Sequence, residues 1–179
     1  MANLKVEIRE SIKLNENSYD SYSKVTIKDI KEISKRTLTV PVTESVLMVM
    51  DNTNVGAGTF VEDDVRYIRI TNKSTEFPLL LTFKNENNNE FMYKLDKESS
   101  YIYSGESDIS GTSSGSGVIN SIDASDSAIT GVDSSYENMG DLVNITAMAS
   151  GSQAQIDSGS AGSGSGAVRC DVELFIASV

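Results

Sequence analysis

Apolar and polar residues alternate along the first stretch of the chain. Leu4, Val6 and Ile8 are interleaved with Lys5, Glu7 and Arg9, and Ile12 and Leu14 keep the phase. A period of two predicts a β-strand with one buried face and one wet face. Residues 15–20 are polar and predict a turn, after which Val25 and Ile27 resume the pattern. Ile30 and Ile33 then drift to a period of three, where a strand and a short helix look alike. Residues 37–42 alternate again, with Leu38, Val40 and Val42 on one side. Pro41 points to an edge strand or a strand end, because proline has no N–H to give a neighbour. The continuous apolar run at residues 46–50 predicts a short strand covered on both faces.

Further on, residues 65–71 (V-R-Y-I-R-I-T) are strongly β-forming. The polar residues 72–76 connect them to an apolar stretch at 78–83, and the pair reads as a hairpin. The N-E-N-N-N run at 85–89 is a second turn, leading to Phe91, Tyr93 and Leu95 on one face. A third turn leads to residues 101–103. Four strands joined by short polar connections predict an antiparallel meander.

Composition then changes abruptly. Residues 104–167 hold no Lys or Arg, eight acidic residues and 11 of the 13 glycines. Such a composition belongs to a flexible linker, yet apolar pieces recur at Val118, Ile119, Ile122, Ile129 and Val132, and Val143, Ile145 and Ala147 alternate. Gly/Ser runs at 109–119 and 156–168 each enter an apolar residue, as two unrelated loops or as a matched pair of extended arms. Residues 168–176 close the chain with a long alternating strand that returns to the core. The expected fold is therefore all-β: an antiparallel β-sandwich or jelly-roll-like domain from residues 1–103 and 168–179. Residues 104–167 are expected as an acidic Ser/Gly-rich excursion with short strands at a subunit interface.

Composition also excludes chemistry. The 179-residue chain has no histidine and one cysteine, so a single chain builds no Ser-His-Asp triad, Cys-His dyad or thiolate cluster. Cys170 sits in an apolar row with Val168, Val172, Leu174 and Ile176 and reads as a small core residue. The N-terminus lacks the pattern of a signal peptide, and no apolar run approaches the roughly 20 residues that span a bilayer. A soluble protein without a membrane partner is expected. The net charge of −11 and the lack of a Lys/Arg cluster argue against binding nucleic acid. Residues 1–40 nonetheless carry eight basic and six acidic groups, so the remainder holds −13.

Asp123, Asp126 and Asp133 are the candidate metal ligands, since Ca²⁺ is held by several oxygens, but their spacing does not match an EF-hand loop and a solvated acidic loop is preferred. Glu62, Asp63 and Asp64 could supply a carboxylate pair only opposite another acid in a cleft. The Gly-rich runs lack the Gly-Lys-Ser/Thr ending of a phosphate loop. No cofactor and no enzymatic activity are expected. Two N-x-S/T sequons, at Asn72 and Asn144, read as chance matches.

The V-R-Y-I-R-I-T-N segment at 65–72, the apolar strand at 79–83 and the strand pair within 91–103 together resemble small β-sandwich proteins of tailed-phage virions. The Asn/Lys/Ser-rich, low-proline style is similar to proteins from AT-rich phage genomes. The resemblance covers residues 65–103 and implies a structural role on the capsid shell or tail, with no catalytic residues to carry over. Ordering the Gly/Ser segment costs roughly 1–2 kcal/mol per residue, which neighbouring subunits can offset. The expectation is a homo-oligomer such as a trimer, assembled in the host cytoplasm into the virion as a capsid decoration (cement) subunit on the major capsid protein. Lys5 and Arg9 would face an acidic shell, and Tyr101, Tyr103, Ile119 and Ile129 would contribute to interfaces. The rival expectation is a tail, fibre or spike component that binds a host receptor or glycan.

Overall fold

A computed structural model describes residues 2–51, 56–61, 64–85, 90–104, 142–151 and 168–179. Eleven strands are present among them: β1 (Ala2–Leu14), β2 (Asn17–Ile30), β3 (Glu32–Pro41), β4 (Ser45–Met50), β5 (Thr59–Phe60), β6 (Val65–Asn72), β7 (Leu79–Asn85), β8 (Glu90–Leu95), β9 (Ser100–Ser104), β10 (Leu142–Ala149) and β11 (Arg169–Ser178). The fold is all-β, as the alternation predicts. One sheet has the order β5-β4-β10-β7-β8, a second the order β3-β11-β6-β9, and β1 and β2 form a separate two-stranded ribbon. All pairs are antiparallel except the short β4–β5 pair.

The two larger sheets close on a common core. Cys170, Val172, Leu174 and Ile176 of β11 point inward at successive alternate positions and meet Ile68 and Ile70 of β6, Leu79 and Leu81 of β7 and Ile145 of β10, all at 2 % exposure or less. Cys170 is a core residue, with its Sγ 3.4 Å from the Phe77 carbonyl, and burial raises its thiol pKa. The closing strand predicted at 168–176 is the central partner of both β3 and β6.

Several local expectations are corrected. Residues 65–83 do not form a hairpin, and residues 65–103 are not a meander: β6 pairs β9 in one sheet, whereas β7 pairs β8 in the other. The chain crosses between layers at residues 73–78, and fully buried Asn72 organises that crossing. Its Nδ2 donates to the carbonyls of Phe77 (3.0 Å), Asp96 (3.3 Å) and Leu95 (3.4 Å), while its Oδ1 accepts the Ser74 N–H at 3.0 Å. Ser74 Oγ then accepts from the N–H groups of Glu76 and Phe77. Side-chain oxygens and amides thus wind a connection that a tight two-residue turn would have kept within one sheet.

Likewise β4 is not covered on both faces. A register shift between Ile145 and Thr146 lets β4 bulge at Leu47, so Leu47 and Met48 are both buried while Val46 is 59 % exposed. Leu142–Ala149, assigned to the excursion by composition, is the central strand of the five-stranded sheet and belongs to the core. The period-three drift at Ile27 and Ile30 is a bulge, not a helix. Opposite Asn3, β2 carries the two residues Lys28 and Asp29, with Asp29 at φ 62°, so Ile27 and Ile30 both turn inward.

Candidate functional site

The β1–β2 ribbon has two ends with different environments. At its base Ile27 and Ile30 are buried, and Leu4 and Val6 pack with them on the outer face of the four-stranded sheet, against Tyr67, Ile102, Phe175, Ala177 and Val179. Arg69 holds the adjoining surface: its guanidinium donates to Glu173 at 2.5 Å and stacks 5.6 Å from the Phe175 ring centre, while Tyr67 meets Phe175 edge-on at 5.8 Å. Burial opposes ionisation of Glu173, but Lys35 and Arg69 together hold its carboxyl below the usual range.

Every residue from 7 to 26 is exposed; Glu7 and Ile8 still line a cavity with Lys35, Tyr67, Arg69 and Phe175, and beyond them the ribbon stands clear of the described residues of the sandwich. It is an arm. Strands of 13 and 14 residues make the whole ribbon about 40 Å long at the usual rise, of which the part from residue 7 to the tip is about 27 Å. The reversal at its tip is a two-residue turn, with Asn15 at φ 49° and Glu16 at φ 68°, and Leu14 pairs directly with Asn17. Two consecutive left-handed residues match the twist of the flanking strands.

Directly opposed residues of an antiparallel pair share a face, so the register sorts the arm into two. The first face carries Leu4, Val6, Ile8, Glu10, Ile12 and Leu14 opposite Ile27, Val25, Ser23, Ser21, Tyr19 and Asn17. The second carries Lys5, Glu7, Arg9, Ser11 and Lys13 opposite Thr26, Lys24, Tyr22, Asp20 and Ser18.

On the second face many polar groups find partners within the arm. Lys5 Nζ is 2.6 Å from Glu7 and Arg9 is 3.8 Å from the same carboxylate. Hydrogen bonds from Lys5 and Tyr22 lower the Glu7 pKa. Ser11 and Ser18 donate to Asp20 at 2.6 and 2.9 Å and lower its pKa too. Arg9 lies 5.4 Å from the Tyr22 ring centre. The first face is different: Ile8, Ile12, Leu14, Tyr19 and Val25 are 42, 58, 56, 58 and 40 % exposed.

Ile8, Ile12 and Leu14 were expected on a buried strand face, and Tyr19 in a polar turn at residues 15–20, whereas the turn is only Asn15 and Glu16 and β2 begins at Asn17. The alternation of β1 was legible, but its cover was not, and the warning sign was the facing strand. Residues 18–23 (S-Y-D-S-Y-S) are polar at nearly every position, so β2 cannot complete a buried face there.

Of the interface candidates, Lys5 and Arg9 lie on the polar face of the arm. Tyr103 is 1 % exposed, inside the core and closed off from any surface. Tyr101 is half-buried among rings, with Phe83 at 5.2 Å and Tyr93 at 5.7 Å. Burial, with Tyr103 and Tyr93 beside it, pushes its phenol up to about 12. This aromatic group lies between β8 and β9, where Phe91, Met92 and Tyr93 of the β8 edge strand are 36, 52 and 41 % exposed. Ile119, Ile129, Asp123, Asp126 and Asp133 lie outside the described residues, as do Glu62 and Asp63. Among the described residues no three His, Cys, Asp or Glu side chains converge on a metal-sized space. A network of charge does exist on the five-stranded sheet, where Lys84 bridges Glu44 (2.9 Å) and Glu90 (3.0 Å) and Thr146 donates to Glu44 at 2.5 Å. Asn72, one of the sequon asparagines, has its amide committed to the crossing.

No family model, curated protein or solved structure matches this chain.

Proposed function

We propose that this protein is a non-enzymatic structural subunit of a tailed-phage virion, a capsid decoration protein that joins copies of itself through the β1–β2 arm on a shell of the major capsid protein. The observation that carries the assembly reading is the arm's uncovered row, Ile8, Ile12, Leu14, Tyr19 and Val25. A two-stranded ribbon is marginal in water unless one face packs, and a projecting apolar stripe of this kind marks a protein–protein contact. The base gives the arm a fixed point of departure, because its first rungs are rooted on Tyr67 and Phe175. The virion as the scaffold follows from the resemblance of residues 65–103 to phage β-sandwich proteins.

The experiment is add-back. Purified protein mixed with phage shells assembled without it is sedimented, and intact virions are labelled with gold-conjugated antibody. Saturable co-sedimentation with label over the shell is expected. Label confined to the tail, or no attachment to shells, overturns the decoration role.

A further inference from the structure

We infer that the apolar face of the arm packs face to face against the same face of the arm of a second copy of this chain. The inference rests on the assembly reading above and names its contact. Four observations bear on it. First, the row is continuous with an interface already made: the face that covers Tyr67 and Phe175 through Leu4 and Val6 runs on in unbroken register to Ile12 and Leu14. What is covered by the protein's own sheet at the base has, among the described residues, nothing over it further out.

Second, the area fits a small contact. At the exposures observed, the five side chains present on the order of 500 Å² per arm, the upper range for a patch on a monomer. Two such faces together present about 1,000 Å² at most, and the overlap of the Glu10–Ser21 to Leu14–Asn17 rungs covers part of it, the size of a weak, reversible association.

Third, charge favours the arm over the body. Residues 2–30 contain five basic and five acidic groups, so the whole net charge of −11 lies elsewhere. Contacts between bodies bring like charge together, whereas arms meet as neutral elements and hold the bodies apart. Much of the polar face is engaged by its own ion pairs and serine hydroxyls, which favours the apolar one for binding.

Fourth, the one polar rung has a complement. In an antiparallel, two-fold arrangement centred on the Ile12–Tyr19 rung, the Leu14–Asn17 rung of each arm falls opposite the Glu10–Ser21 rung of the other. The two-fold axis runs along the central rung and lays each strand over its own equivalent, so Asn17 meets Ser21 as a polar pair while Leu14 lies over the methylenes of Glu10, whose carboxylate sits at the ribbon edge in water. Such a contact is isologous and closes by symmetry, turning two marginal ribbons into a small two-layer sandwich.

Tyr19 and Tyr22 make the test internal, since they are 58 and 55 % exposed on opposite faces. The photoreactive amino acid p-benzoylphenylalanine is placed at Tyr19 in one protein and at Tyr22 in another. Isotope-labelled and unlabelled copies are mixed, illuminated and mapped by mass spectrometry, with the wild-type mass measured by light scattering. The expected result is a covalent dimer from position 19, joined to residues 8–25 of the other copy, and its loss when the probe sits at position 22. If the wild type is oligomeric but position 19 attaches to another surface, or both positions react alike, arm-to-arm pairing is wrong and the assembly reading survives. A monomeric wild type with no covalent dimer from either position overturns both.

Discussion

The side-chain amide of Asn72 donates to the backbone carbonyl of Phe77 at 3.0 Å, across the crossing that takes the chain from one sheet to the other. Asn72 is 0 % exposed, so its contacts cannot be replaced by water without opening the core. Asn72→Ala leaves the Phe77 carbonyl and the Ser74 N–H without this partner and should cost about 2–3 kcal/mol. Asn72→Asp should cost more, because an ionised carboxylate only accepts and would face three carbonyl oxygens. Urea unfolding of the two variants beside the wild type measures both.

Leu174 and Leu14 are the same residue type in opposite settings. Leu174 is 0 % exposed at the centre of β11, whereas Leu14 is 56 % exposed near the arm tip. Leu174→Ala should lose about 2–5 kcal/mol. Leu14→Ala, measured at concentrations low enough to keep the chain monomeric, should stay within about 0.5 kcal/mol of wild type. A large loss at Leu14 under those conditions would mean that the arm folds back on its own body.

Tyrosine ionisation gives a separate reading of the β8–β9 edge. Burial beside Tyr103 and Tyr93 raises the Tyr101 phenol from 10.0 to about 12. A raised folded value favours the neutral form, so its stabilising contribution is complete below pH 10.0 and is lost as pH rises towards about 12. Absorbance at 295 nm should show a late-titrating component, to which burial of Tyr67 also contributes, and Tyr101→Phe should diminish it. If the substitution leaves that component undiminished, Tyr101 is open to solvent.

At the other end of the pH scale, Glu173 reports on the arm's root. Its pKa is lowered below the ordinary value of 4.5, against the opposing effect of burial, by Lys35 and Arg69. A lowered carboxylate stabilises above its unfolded value, and the contribution disappears as pH falls below 4.5 through the folded value. Glu173→Gln should therefore cost about 1 kcal/mol at pH 7. The difference should narrow at low pH, where the wild-type carboxyl is itself protonated. Thermal melts of both proteins across the acid range follow it.

Local alternation identified most of the strands, because a period of two needs only neighbouring residues to be seen. It could not say which strand pairs with which. Residues 65–83 have the pattern of a hairpin, and what defeats that reading is one buried asparagine whose partners, Leu95 and Asp96, lie far along the chain. Residues 142–149 were hidden by the composition around them, although the alternation of Val143, Ile145 and Ala147 was the signal that their strand exists. The candidate site was half legible. Ile8, Ile12 and Leu14 were marked as apolar and in phase, but exposure depends on whether another layer reaches them, and no sequence pattern in β1 alone encodes the end of the sandwich.

The most direct test of the account is sedimentation equilibrium of the purified chain over a range of concentrations, beside a double variant carrying Ile12→Asp and Tyr19→Asp. The account predicts a wild-type mass that is a multiple of the 19.3 kDa chain. It also predicts a single-chain mass for the variant, with an unchanged circular-dichroism spectrum showing that the sandwich is intact. A wild type that stays at single-chain mass at every concentration, or a variant that associates as the wild type does, would contradict it.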